Sequence, residues 1–125
     1  MKRVIIESPY AGDIEKNVEY ARACLRDSLA RGEAPLASHL LYTQPGVLDD
    51  TLPEERYLGI SAGLAWLPLA HVHTVYIDRG ISVGMRIAYD RAREVGVPVE
   101  IRSLYRVPTA EDFLELRISP EKEKI

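Results

Sequence analysis

The chain has 125 residues, 46% of them apolar, a formal charge of −3 and a pI near 5.6, enough for one domain with one continuous core. The mild acidity and the lack of a basic cluster argue against a nucleic-acid partner, since that binding needs a basic face to release counterions. The longest apolar runs are strand-sized and MKRVIIESPY lacks a signal-peptide h-region, so the expected setting is cytoplasmic with no membrane partner, and the single cysteine, Cys24, precludes an intramolecular disulfide.

Lys2 to Glu7 carries Val4, Ile5 and Ile6 in succession, the run expected of a central parallel strand buried on both faces. Ser8-Pro9-Tyr10-Ala11-Gly12 ends it. Asp13 can then cap a helix whose Ile14, Val18, Ala21, Leu25 and Leu29 recur at three- and four-residue spacing, with Arg31-Gly32 closing it. Cys24 falls within this helix as a packing residue. Asp13 and Glu15 at the helix start would repel a phosphate, which favours recognition of hydroxyls or a base there.

Glu33 to Ser38 reads as a short second strand that Pro35 demotes to an edge. His39 to Gly46 follows as a loop dense in hydrogen-bonding groups, with His39, Tyr42, Thr43 and Gln44 ahead of the acidic pair Asp49-Asp50, and can serve either as a binding loop or as a simple turn. Thr51-Leu52-Pro53-Glu54 has the form of a capping box opening a helix to about Leu67, with Leu58, Ala62, Ala65 and Trp66 as its apolar positions. Gly59 and Gly63 in that helix suggest a close contact with the sheet or with another subunit. His71 and His73 form an H-x-H pair with no third ligand in suitable spacing, so they are expected to be solvated or capping groups and no metal is assigned.

Residues 72–99 spell strand, tight loop, helix, turn and strand. Val72, Val75, Tyr76 and Ile77 form the strand, Asp78-Arg79-Gly80 breaks it, and Ser82 caps a helix carrying a small-residue stripe of Gly84, Ala88 and Ala92. Gly96 and Pro98 end the helix before Val97, Val99 and Ile101 start the next strand. This is a βαβ crossover, and in an open parallel sheet ligands bind beyond the carboxyl ends of the strands, which points to Asp78 through Met85. Thr109 to Leu116 reads as a short helix whose Phe113, Leu114 and Leu116 could dock on a neighbour, followed by a charged tail over 119–125. The expected architecture is a single-domain, flavodoxin- or Rossmann-like α/β three-layer sandwich over 1–106, with a mostly parallel sheet of four to five strands and a C-terminal extension over 107–125.

Taken together, strand-SPYAG-helix, Ser38-His39 after the second strand, and Gly80-Ile81-Ser82-x-Gly84-Met85 before the crossover helix resemble the nucleoside 2-deoxyribosyltransferase-like superfamily, in particular its small phage and bacterial branch. The similarity spans about the first hundred residues. It implies a flavodoxin-like fold, an oligomer with sites near subunit contacts, and a ligand built from a base and a (deoxy)ribose, often phosphorylated; a homo-oligomer is expected, and no cofactor is assigned. Enzymes of that superfamily use a glutamate four residues after the glycine of the S-x-G element as nucleophile. Here that position is Ala88, which cannot supply a carboxylate.

Glu7 and Asp78, both at strand ends, are therefore the candidate catalytic carboxylates, since Asp90 should face elsewhere. Ser8, Pro9, Tyr10, Gly12, His39, Tyr42, Gly80, Ser82, Gly84, Met85 and Arg86 are the candidate ligand-binding residues, with Tyr10, His39 and Tyr42 orienting base and sugar. One functional reading is hydrolysis or transfer at an N-glycosidic bond. The other, which Ala88 favours, is a non-catalytic protein that senses or sequesters a nucleotide, with Arg79 or Arg86 on its phosphate.

Overall fold

A computed structural model describes residues 1–118, and the tail expected over 119–125 lies outside them. The chain runs β1 (Arg3–Glu7), α1 (Ile14–Ala30), β2 (Ala34–Leu36), α2 (Ser38–Leu41), α3 (Pro53–Leu64), a 3₁₀ turn (Leu67–Leu69), β3 (Val72–Tyr76), α4 (Val83–Glu94), β4 (Val99–Arg102) and α5 (Ala110–Arg117). The four strands are all parallel in the order β2-β1-β3-β4, so the α/β fold and strand number agree with the sequence reading.

Alternation along β1 divides the core. Val4 and Ile6 pack with Tyr20 and Cys24 of α1 and with Tyr76, whereas Ile5 faces Leu67, Ala92 and Val97 on the opposite side. That second face is closed by α4 and α5, where Val75 and Ile77 meet Met85, Tyr89 and Leu116. Leu116 is thus buried within the chain's own core, and Phe113 stacks edge-on against Tyr89 with ring centroids 6.2 Å apart. This corrects the expectation that α5 offers Leu116 to a neighbour.

Beneath α1 lies an ion network that ties the edges of the sheet together. Arg102 donates to both oxygens of Glu33 at 2.8 Å, to Glu100 at 2.9 Å and to the Tyr76 hydroxyl at 3.2 Å, while Tyr76 donates to Asp27 at 2.7 Å. Arg102, with a second bond from Ser28, holds the Glu33 carboxyl down at about 2 against the cost of its burial.

The helix α3 departs most from expectation. Its N-cap is Leu52 with no side-chain cap bond, because Thr51 instead donates its hydroxyl to Asp49 at 2.6 Å, and the helix ends at Leu64 rather than near Leu67. Leu58 is 58% exposed and Trp66 is 45% exposed, so the large apolar positions chosen from the sequence face outward, and of the four only Ala62 is half-buried. The inward face is the one bearing Gly59 and Gly63. A Cβ on Gly59 would touch Leu48, and one on Gly63 would collide with Ser38, so these glycines admit α2 and its following turn rather than the sheet.

Candidate functional site

From β1 the chain crosses to β2 on one side and then, through α3, to β3 on the other, which leaves a crevice where the connections part. The carboxyl end of β1, the start of α4, α2 and the glycine face of α3 enclose a cleft there of about 810 Å³, counting its open mouth. Glu7, Ser8, Tyr10, His39, Tyr42, Ser82, Gly84 and Met85, all singled out from the sequence, line this one cleft. Pro9, Gly12, Gly80, Asp78 and Arg86 are not among its lining residues. Pro9 is buried, while Gly12 and Gly80 have φ of +100° and +86° and serve the turns that follow β1 and β3.

Asp78 sits on the α1 side of the sheet, where its carboxylate is fully engaged. It accepts from the Tyr20 hydroxyl at 2.6 Å, from the Leu104 amide at 2.9 Å and from the Ser103 hydroxyl, and its own amide donates back to Tyr20. Burial disfavours the charged form, but the bonds from Ser103, Tyr20 and Leu104 outweigh it and hold the carboxyl below its ordinary range. Asp78 is therefore a structural anchor for the loop after β4. Arg79, considered as a phosphate ligand, donates Nε–H to Asn17 at 2.7 Å on the same side.

Glu7 is the carboxylate that the strand order delivers to the cleft. It pairs with Val75 in the ladder, on the α4 side, and its side chain is 15% exposed. Beside it, the Ser8 hydroxyl and His39 Nε2 are 2.7 Å apart. Burial pushes the His39 imidazole below its usual range, and the charge of Glu7 partly offsets that shift. The segment carrying His39 is the helical turn α2, not the open loop expected: Thr43 and Gln44 donate back to the carbonyls of His39 and Leu40 at 2.5 and 3.0 Å.

Ala88 also lines the cleft, 3% exposed, whereas Asp90 is exposed. The small-residue stripe of α4 is accordingly split: Ala92 packs in the core with Ile5, Ala88 forms cleft wall, and Gly84 opens into the cleft with only Ser82 near its Cβ position among the described residues. Ser82 caps α4 by accepting from the Met85 amide at 3.2 Å, which aims the first turn of the helix at the cleft.

Three groups here were not assigned to the site from the sequence. Arg56 and Asp50 face the cleft as a pair at 3.3 Å, and the Arg56 Nε is buried without a hydrogen-bond partner among the described residues. The signal for Arg56 lay in the spacing Arg56, Gly59, Ile60, Gly63, Leu64, a narrow inward stripe hidden by the larger Leu58 and Trp66. His73 is wholly buried with Nε2 3.5 Å from Glu7, which corrects the expectation of a solvated or capping histidine, while its neighbour His71 is exposed and accepts from the Arg3 amide at 2.8 Å. Because β3 is buried along its whole length, a polar residue inside it could only be interior. Among the described residues no group of three or more His, Cys, Asp or Glu side chains is placed to hold a metal, and no helix is long and apolar enough to cross a membrane.

The fold, a parallel four-stranded α/β sandwich with its cleft beyond the strand ends, is similar to that of two solved structures. The 2-deoxyribosyltransferase of Bacillus psychrosaccharolyticus superposes with a TM-score of 0.60 at 19% identity, over 90% of this chain and 81% of that one. The CMP N-glycosidase BcmB of Clostridium botulinum does so with a TM-score of 0.50 at 12% identity, over 93% of this chain and 80% of that one. The chain belongs to the family described as domain of unknown function DUF7768, whose model matches residues 2–102. No curated protein matches it in sequence.

Proposed function

We propose that the cleft binds a nucleoside or nucleotide and hydrolyses its N-glycosidic bond, with Glu7 as the working carboxylate. The observation that carries this reading is that Glu7 opens into the same cleft as Ala88, the position that resemblance assigns to the nucleophilic glutamate. The small side chain at 88 leaves space that a carboxylate arriving from β1 can serve. Two structural neighbours, a 2-deoxyribosyltransferase and a CMP N-glycosidase, support a ligand of this class.

In this reading Glu7 takes a proton from a water molecule as the water oxygen bonds to C1′. The C1′–N bond breaks with its electron pair going to the base, and the proton passes on to the departing base nitrogen. Tyr10, His39 and Tyr42 orient base and sugar, and Ser82 and Gly84 at the start of α4 face the sugar hydroxyls. The alternative, a sensing or sequestering protein without turnover, is favoured by one observation, the alanine at 88 on the cleft wall.

Incubation with a panel of nucleosides, deoxynucleotides and cyclic nucleotides, followed by ultrafiltration and mass spectrometry, separates the two. Base release that is lost in Glu7→Gln with folding intact is the expected result. Base release unchanged in Glu7→Gln refutes the role of Glu7, and retention of an intact compound without product establishes the binder. Neither binding nor release refutes both.

A further inference from the structure

We propose that His73 is a positioning residue for Glu7, holding one carboxylate oxygen from behind so that the other faces the cleft. The inference rests on the reading of Glu7 as the working carboxylate. His73 lies within β3 opposite Ile5 and Val99 and is wholly buried, yet neither ring nitrogen has a hydrogen-bond partner among the described residues. An unpaired polar ring in a core is costly, and a leucine would fill the same space without that cost. A buried imidazole there calls for a physical reason.

Glu7 supplies it. Its Oε1 is 3.5 Å from His73 Nε2, and the two residues stand on the same face of the sheet in adjacent strands, offset by two residues in the ladder. Hydrogen bonds within catalytic groups are commonly long until substrate closes the site, and a small shift makes this contact an Nε2–H···Oε1 bond. The second imidazole near Glu7, His39 of α2, lines the cleft and is tied to Ser8, so it can meet a ligand directly. His73 does not line the cleft. It can act on a ligand only through Glu7, by fixing which of the carboxylate's lone pairs remain for the water.

The test compares His73→Leu, which removes the donor, with His73→Gln, whose amide N–H reaches a similar place. Both are assayed on whichever panel nucleoside or nucleotide releases base. We expect His73→Leu to lower kcat roughly 10- to 100-fold with KM within about twofold, and His73→Gln to restore most of it. Wild-type kcat in His73→Leu, with Glu7→Gln inactive, overturns the positioning role and leaves Glu7 standing. Full activity in Glu7→Gln, or no turnover by the wild type, overturns the reading of Glu7 and the inference with it.

Side-chain ¹H–¹⁵N spectra of the ligand-free protein give a readout that needs no turnover and survives if His73→Leu fails to fold. The His73 ring signals should carry a proton on Nε2 and shift in Glu7→Gln, while those of His71 stay in place. Unmoved His73 signals overturn the inference.

Discussion

Arg102→Met tests the network beneath α1. The substitution keeps the apolar stem and removes the guanidinium, which leaves Glu33, 12% exposed at its side chain, with the Ser28 hydroxyl and the weaker influence of the Arg31 charge. Glu100 is 47% exposed and can turn to water, so its loss matters little. The dominant effect is a buried carboxylate stripped of its partner, at about 3–5 kcal/mol near neutral pH.

The pH dependence gives an independent size. Glu33 titrates at about 2 in the folded chain against an ordinary 4.5, which corresponds to about 3 kcal/mol. Because the folded value is the lower one, this stability is complete above pH 4.5 and is lost as pH falls toward 2. Urea denaturation followed by circular dichroism, at several pH values from about 7 down to about 3, should therefore show a large gap between wild type and variant that narrows on acidification. A gap below about 1 kcal/mol at neutral pH, or one that stays constant down to about pH 3, refutes the reasoning.

Gly63→Ala places a methyl group 3.0 Å from the Ser38 Cβ and closer still to its hydroxyl, so α2 must move away from α3. Denaturant melts should show a loss of about 1–3 kcal/mol, together with weaker ligand retention, since both residues line the cleft. Asp78→Ala removes the acceptor for Tyr20, Ser103 and Leu104 and should cost about 1–3 kcal/mol in the same melts; loss of turnover with unchanged stability would return Asp78 to the chemistry. Leu116→Ala should cost about 2–5 kcal/mol, whereas a docking helix outside the core would leave the midpoint of the isolated chain unmoved.

Much of the fold was written in local pattern. The run Val4-Ile5-Ile6, the cap at Asp13, the edge-demoting Pro35 and the Ser82 to Gly96 helix each obey short-range rules, and the structure follows them within a residue or two. Glu7, Ser8, His39 and Ser82 could be placed near one another because parallel strands end on the same side. Reading failed where a choice between faces was needed. Leu58 and Trp66 outweigh Gly59 and Gly63 in any apolar periodicity, yet the glycines face inward because α2 approaches too closely for a side chain.

The sequence by itself determined the order of the strands and longer helices and the parallel sheet, because each depends on spacing and turn chemistry over a few residues. Only the tertiary structure decided which of the two strand-end carboxylates, Glu7 or Asp78, reaches the cleft that Asp50 and Glu55 also line. Glu7 and Asp78 are equivalent in sequence, both at strand ends, but side chains alternate across a strand. Glu7 falls on the α4 face with His73 behind it, and Asp78 falls on the α1 face, where Tyr20, Ser103 and Leu104 take up its oxygens.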